Sequence, residues 1–140
     1  MLCEQKVRKG DALKYILGSI EQVGENIYNR YNLSWIYLWH NQIDEALKLA
    51  DKIIIDKEMI EEFSKQYSNF IMLLLAKQQY RYVTKYFDSS DLDLKERFKP
   101  LYYALLHFTH DEAYAKLPPE LAEPVNNVIE KVKQMAVDYA

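Results

Sequence analysis

The sequence of 140 residues contains little glycine and proline, with three Gly and four Pro. All three Gly lie at or before Gly24 and the first Pro is Pro100, so the stretch from Glu25 to Lys99 contains neither residue. A β-sandwich or a β-barrel needs turn residues about every 8–12 positions. The long stretch without such residues therefore excludes an all-β fold.

Cysteine, long apolar runs and an excess of basic residues are also missing. The only cysteine is Cys3, which excludes an intrachain disulfide and is typical of a reducing, cytoplasmic setting. The longest apolar run, Phe70 to Ala76, has seven residues, whereas a membrane-spanning helix needs about 20. With 18 basic and 21 acidic residues, no field for a phosphate backbone is expected. We therefore expect a cytoplasmic protein that binds neither nucleic acid nor membrane.

What the chain does contain is apolar residues at helical spacing. Hydrophobic residues make up 49 % and aromatic residues 14 % of the sequence, enough to bury a core and to exclude disorder. Apolar positions recur at i, i+3, i+4 and i+7, the period of an amphipathic helix. The predicted helices are Asp11 to Val23, Asn26 to His40, Asp44 to Ile55, Met59 to Ala76, Tyr80 to Phe87, Lys95 to Phe108, Glu112 to Lys116, and a last one from between Pro119 and Pro124 through Met135.

Short polar breaks separate these helices at regular intervals. Tight breaks lie at Gly10-Asp11, Asn41-Gln42, Gln78-Gln79 and His110-Asp111, 31 to 37 residues apart. Looser breaks, such as Asp56 to Glu58, alternate with the tight ones. Helix pairs that recur about every 34 residues are typical of a helical repeat, in which neighbouring hairpins bury each other's apolar faces. We expect one all-α domain of stacked antiparallel helix hairpins over residues 1–140.

The segment from Asn32 to Ala46, NLSWIYLWHNQIDEA, resembles a tetratricopeptide repeat. Leu33 and Tyr37 stand where that family has its first-helix leucine and tyrosine, and Ala46 stands where the two helices cross closely. The repeat would span Ile27 to Ile60, followed by two degenerate repeats with larger residues at the crossings. The resemblance implies a right-handed α-solenoid, closed by the last helix as a C-terminal cap.

The beginning of the chain shows a partial repeat. Lys9-Gly10-Asp11 resembles the turn between the two helices of a repeat, but too few residues precede it for a complete first helix. We therefore expect the chain to be a C-terminal fragment of a longer protein, such as an ATPase or a signalling protein.

The resemblance also indicates candidate partner-binding residues. In such repeats the first helix lines a concave groove, and the residues that would face it are Tyr28, Tyr31, Asn32, Trp35 and Trp39. Aromatic side chains bury much area at little entropic cost, so they anchor peptides well. The alternative is that these rings pack against a neighbouring hairpin.

A basic side chain of the following hairpin is a further candidate. Lys65, together with Asn32, would hold a peptide carboxylate, as in the carboxylate-clamp members of the family. The alternative is an ordinary solvated lysine.

These observations predict a protein–protein interaction module that has no catalysis and no cofactor, with a peptide or a protein as its partner. The first alternative is a structural segment that packs on its parent protein or self-associates into a homodimer. The second is a metal-binding enzyme built on a cluster near the last tight break. A His pair three residues apart on a helix can share a metal ion with nearby carboxylates. The residues of that cluster are His107, His110, Asp111 and Glu112.

Overall fold

The computed structural model describes residues 9–89 and 91–140 and is all-helical over that part of the chain. Nine α-helices lie in the described residues, with two short 3₁₀ segments, Glu112–Lys116 and Pro119–Leu121, before the last helix. The helices are α1 (Lys9–Val23), α2 (Ile27–Trp39), α3 (Ile43–Ile54), α4 (Lys57–Glu61), α5 (Ser64–Ala76), α6 (Tyr80–Phe87), α7 (Leu94–Arg97), α8 (Lys99–Phe108) and α9 (Ala122–Asp138).

The chain divides into two compact units, the first ending at Phe63 and the second running from Ser64 to Ala140. The expectation of a single domain over residues 1–140 stays a prediction. No helix of the described ranges is long and apolar enough to cross a membrane. Cys3 lies outside the described residues.

In the first unit, α2 packs against α1 on one side and α3 on the other. The contact with α1 is apolar: Ile16 of α1 forms a buried cluster with Leu33 and Ile36 of α2. Asn26 begins α2 as an N-cap, and a capping box with Asn29 satisfies two backbone N–H groups of the first turn.

The contact between α2 and α3 is close because both helices carry small residues there. Ser34 and Ala46 are both fully buried, and the Ser34 hydroxyl donates a hydrogen bond of 2.9 Å to the Ala46 carbonyl oxygen. Small side chains at a crossing let two helix backbones approach each other. The sequence had indicated this crossing at the same alanine.

The second unit is built around α5, in which Phe70, Ile71, Leu73, Leu74 and Leu75 are at most 1 % exposed. α9 packs along α5 and α8. Its apolar stripe joins α8 through a buried cluster, and the opposite face of α9 is exposed. This cluster consists of Ala104, Val125 and Ile129.

Aromatic rings of the second unit stack between its helices. Tyr80 of α6 stacks on Phe108 of α8 with ring centroids 6.0 Å apart. Tyr67 of α5 stacks on Phe98, the residue between α7 and α8, at 5.0 Å. These contacts place tyrosine rings where the helices of the second unit pack together.

Three of the four predicted tight breaks share one backbone geometry. Asn41, Gln78 and His110 adopt left-handed conformations, with φ of 61°, 62° and 56°. The next residue in each case donates its backbone N–H to the carbonyl five positions back: Gln42 to Tyr37, Gln79 to Leu74 and Asp111 to Leu106. This is the Schellman pattern that ends a helix with a sharp turn. It joins α2 to α3, α5 to α6, and α8 to the 3₁₀ segment Glu112–Lys116.

The fourth predicted tight break was wrong, because Gly10 lies within α1. A single glycine costs a helix about 1 kcal/mol relative to alanine, and the apolar face that follows it packs on α2. The residues that precede this turn lie outside the described part of the chain, so the expected partial repeat stays a prediction.

The predicted helix from Met59 to Ala76 was also wrong, because the structure has two helices there. α4 ends at Glu61, and Phe63 donates its backbone N–H to the Glu58 carbonyl oxygen at 3.1 Å before α5 begins at Ser64. No glycine or proline marks this break. The predicted helix from Lys95 to Phe108 is interrupted at Phe98, and Pro100 falls in the first turn of α8, where its missing N–H is tolerated.

Candidate binding surface on helix α2

The first unit leaves one face of α2 uncovered by α1 and α3. Leu33 and Ile36 pack towards α1, and Ser34 towards α3. The remaining face carries the aromatic residues at i, i+3 and i+7 positions, Tyr28, Tyr31 and Trp35. Residues at this spacing lie on one side of a helix. This face of α2 is the candidate binding surface.

Exposure falls along this face from the first turn of α2 to its last. Tyr28 is 53 % exposed, and Trp39 at the other end is 1 % exposed. Tyr31 and Trp35 are half-buried between them, with ring centroids 5.8 Å apart and planes tilted by 43°. Asn32 is exposed beside them. The predicted aromatic face thus comprises an accessible part at its N-terminal end and a buried part at its C-terminal end.

The accessible end is bordered by residues around α4. The ring of Tyr28 packs edge-on against Phe63, with centroids 5.5 Å apart and an interplanar angle of 82°. The Tyr28 hydroxyl donates a long hydrogen bond of 3.4 Å to Glu58 Oε1. Partial desolvation raises the pKa of Tyr28, and the negative charges of Glu58 and Glu62 raise it further. We call Tyr28, Phe63, Glu58 and Glu62 the Tyr28 surface.

Sequence reasoning identified Tyr28 but missed the α4 side of this surface. The break that brings Phe63 to Tyr28 carries no sequence signal. It also missed Asn29, which is 5 % exposed and donates through Nδ2 to the Gly24 carbonyl oxygen at 2.8 Å. The spacing of three residues between Asn26 and Asn29 is that of a capping box, and this spacing could have indicated that Asn29 has a structural role.

Trp39 and Lys65, two of the predicted site residues, do not lie on the accessible part of the aromatic face. Trp39 is 1 % exposed, so its ring is not accessible to a partner in this conformation. Lys65 is exposed in the first turn of α5, in the second unit. The carboxylate clamp of Lys65 with Asn32 stays a prediction.

The His cluster does not come together as a metal site in the structure. The His107 ring lies against Phe108 and Tyr114, with centroids 5.3 Å away in each case. Asp111 instead caps the following 3₁₀ segment, accepting a hydrogen bond of 2.8 Å from the Ala113 N–H. Within ranges 9–89 and 91–140, no three His, Cys, Asp or Glu side chains are grouped so that they could hold a metal ion.

No family model, curated protein or solved structure matches the chain. The resemblance to tetratricopeptide repeats therefore depends on the residues of this sequence alone.

Proposed function

We propose that the chain is a protein–protein interaction module of tetratricopeptide-like type that binds a peptide or a partner protein through the exposed aromatic face of α2. The contact residues are Tyr28, Tyr31, Asn32 and Trp35. The observation that carries the proposal is that α1 and α3 cover two sides of α2, while the side left accessible is aromatic. Large exposed aromatic rings are the side chains most enriched at protein interfaces.

The repeat character of the proposal is supported by the three Schellman turns. In each, a helix ends on a left-handed residue and the next segment begins at once, so the same short connection is built three times. The intervals between these turns match the length of a tetratricopeptide repeat. We propose that α2–α3 and α5–α6 are two helix hairpins of this type, that the segment after α8 is a degenerate third, and that the hairpins form a right-handed solenoid.

Cytoplasmic localisation is part of the same proposal. One cysteine in the whole sequence fits a reducing compartment, where structural disulfides are rare.

The test is a selection of peptides from a random displayed library on the full chain, followed by affinity measurements on the selected peptides by fluorescence polarisation. Tyr31→Ala removes a half-buried ring from the centre of the face, and we expect it to weaken binding about tenfold, the effect of losing one central aromatic contact. Asn32→Arg leaves the core untouched and adds a long side chain beside the rings, so it should weaken binding as well.

Tyr15→Ala is the matched control, because Tyr15 is a 79 % exposed tyrosine on α1 of the same unit. It should leave the affinity unchanged. Thermal melts followed by circular dichroism must show that all three variants fold. Equal affinities of the Tyr31→Ala, Asn32→Arg and Tyr15→Ala variants would place binding elsewhere, and a selection that recovers no peptide would contradict the proposal altogether.

A further inference from the structure

The Tyr28 surface combines an accessible aromatic ring with carboxylates that have no cationic partner. Tyr28 is 53 % exposed, and its hydroxyl lies 3.4 Å from Glu58 Oε1. Within the described residues, neither Glu58 nor Glu62 forms an ion pair with a lysine or an arginine. The charge of both carboxylates is therefore available to a ligand.

One cation of α2 and one of α3 are engaged with a different carboxylate. Arg30 Nε lies 2.7 Å from Glu25 Oε1 and donates a hydrogen bond to it. Lys52 Nζ of α3 lies 4.0 Å from the same oxygen. Both cations thus pair with Glu25, and in the described part of the chain Lys57, the basic residue of α4 itself, forms no ion pair with Glu58 or Glu62 either.

Topology adds apolar area at the same end of the first unit. α1 ends at Val23, α2 begins at Ile27, and α3 ends at Ile54, so these helix ends share one end of the antiparallel arrangement. The 4.0 Å approach of Lys52 to Glu25 confirms that the last turn of α3 lies beside the loop that precedes α2. Val23 is 70 % exposed and Ile55 is 53 % exposed there.

We propose that the Tyr28 surface binds an arginine or lysine side chain of a partner peptide, with the cation against the ring of Tyr28 and beside the carboxylates of Glu58 and Glu62. A cation over an aromatic face is attracted by the ring quadrupole, and each carboxylate adds an ion pair. Val23 and Ile55 offer apolar area to residues that flank the basic one. The preferred partner is a basic segment with apolar neighbours.

This inference rests on the proposed function, because it names the chemistry of the partner of the same face. The probe is the pool of peptides selected from the random displayed library on the full chain. We expect arginine and lysine to be enriched in this pool over the unselected library. Replacement of the basic residue of the best peptide by glutamine should weaken binding about threefold to tenfold, the combined effect of one cation–π contact and exposed ion pairs.

The protein side of the test uses isosteric variants. Glu58→Gln and Glu62→Gln should each lower the affinity for the arginine peptide. Neither should change the affinity for the peptide in which glutamine replaces the arginine. Tyr28→Leu should lower affinity for the arginine peptide, whereas Tyr28→Phe retains the ring and should retain most of the affinity. Glu45→Gln is the control, because it makes the same change in net charge on an exposed residue at the other end of the hairpin, in the first turn of α3.

The outcomes separate this inference from the function on which it rests. Enrichment of basic residues, together with weaker binding of the arginine peptide by the Glu58→Gln, Glu62→Gln and Tyr28→Leu variants but not by Tyr28→Phe or Glu45→Gln, supports the inference. Peptides that bind without a preference for basic residues, or that tolerate Glu58→Gln as well as Glu45→Gln, overturn it. In that case Tyr31→Ala still decides the proposed function. If the selection yields no peptide, both proposals fail.

Discussion

Ser34 and Ala46 determine how closely α2 and α3 approach each other. Both are fully buried, and the hydroxyl of one bonds to the backbone of the other helix. Protein interiors are close-packed, so extra volume at such a contact must push helices apart or force strained side chains. The aromatic face lies on another side of the same helix, so this contact also sets how that face is held against α3.

The two residues predict different costs of substitution. Ser34→Ala removes one buried hydrogen bond without adding volume, and we expect it to lower the free energy of unfolding by about 1 kcal/mol. Ala46→Leu forces three additional carbons into the contact, and we expect it to lower the free energy of unfolding by about 1–3 kcal/mol. Of the two variants, Ala46→Leu should lose more stability. Urea denaturation of both variants measures this. A Leu variant as stable as wild type would show that the crossing is not tightly packed.

The aromatic residues show how far sequence reasoning reaches at the scale of single side chains. Spacing correctly predicted that Tyr28, Tyr31 and Trp35 share one side of α2. Spacing alone predicts that every ring on that side faces a partner equally, and it contains no information on how exposed each ring is. The difference between Tyr28 at 53 % and Trp39 at 1 % depends on the chain packed around each end of the helix. Exposure therefore had to come from tertiary structure.

At the scale of elements, the three Schellman turns place non-glycine residues where glycine is favoured. Asn41, Gln78 and His110 all have φ near 60°. Residues other than Gly, Asn and Asp are strained in the left-handed region, because there the Cβ atom comes too close to the following carbonyl oxygen. Asn tolerates this region best, so the strain should be greatest at the other two positions.

Gln78→Gly tests this strain. We expect it to raise the free energy of unfolding by about 0.5–1 kcal/mol, the relief of left-handed strain less the entropy that glycine adds to the unfolded chain. Asn41→Gly should raise the free energy of unfolding by less than Gln78→Gly does, because Asn tolerates the left-handed region better than Gln. The control is Gln79→Gly, because Gln79 has an ordinary φ of −89° and therefore has no left-handed strain for glycine to relieve. Thermal and urea unfolding compare the three variants, and equal effects at Gln78 and Gln79 would contradict the explanation.

The same turns explain which element boundaries the sequence could reveal. Polar residues between two apolar stripes marked Asn41, Gln78 and His110 correctly, although none of them is glycine. Gly10 was a false signal, because one glycine is tolerated in a helix that packs well. The break at Phe63 had no signal, since a large apolar residue there reads as a continuation of the helix. At this break Phe63 packs against Tyr28, 35 residues earlier in the chain, and local patterns do not contain such contacts.

At the scale of the whole molecule, charge is distributed unevenly along the chain. Residues 1–63 contain eleven acidic and eight basic residues, whereas 64–140 contain ten of each. The excess of acidic residues thus lies in the unit that carries the aromatic face. Like charges on that unit disfavour contact between two copies through it and favour a basic partner.

The oligomeric state distinguishes partner binding from self-association. We expect a monomer by light scattering coupled to size-exclusion chromatography across a tenfold range of concentration. Apart from Tyr28 and the Val23 and Ile55 side chains at the same end of the first unit, the large exposed apolar side chains of the described residues are Tyr15 and Leu17 of α1 and Val137 of α9, and so few do not require burial against a second copy. Two copies meeting through the first unit would also bring its excess acidic residues together. A dimer that dissociates on dilution would instead support the structural alternative. If Tyr28→Ser then abolished that dimer while Tyr15→Ser did not, the occupant of the Tyr28 surface would be a second copy of the chain.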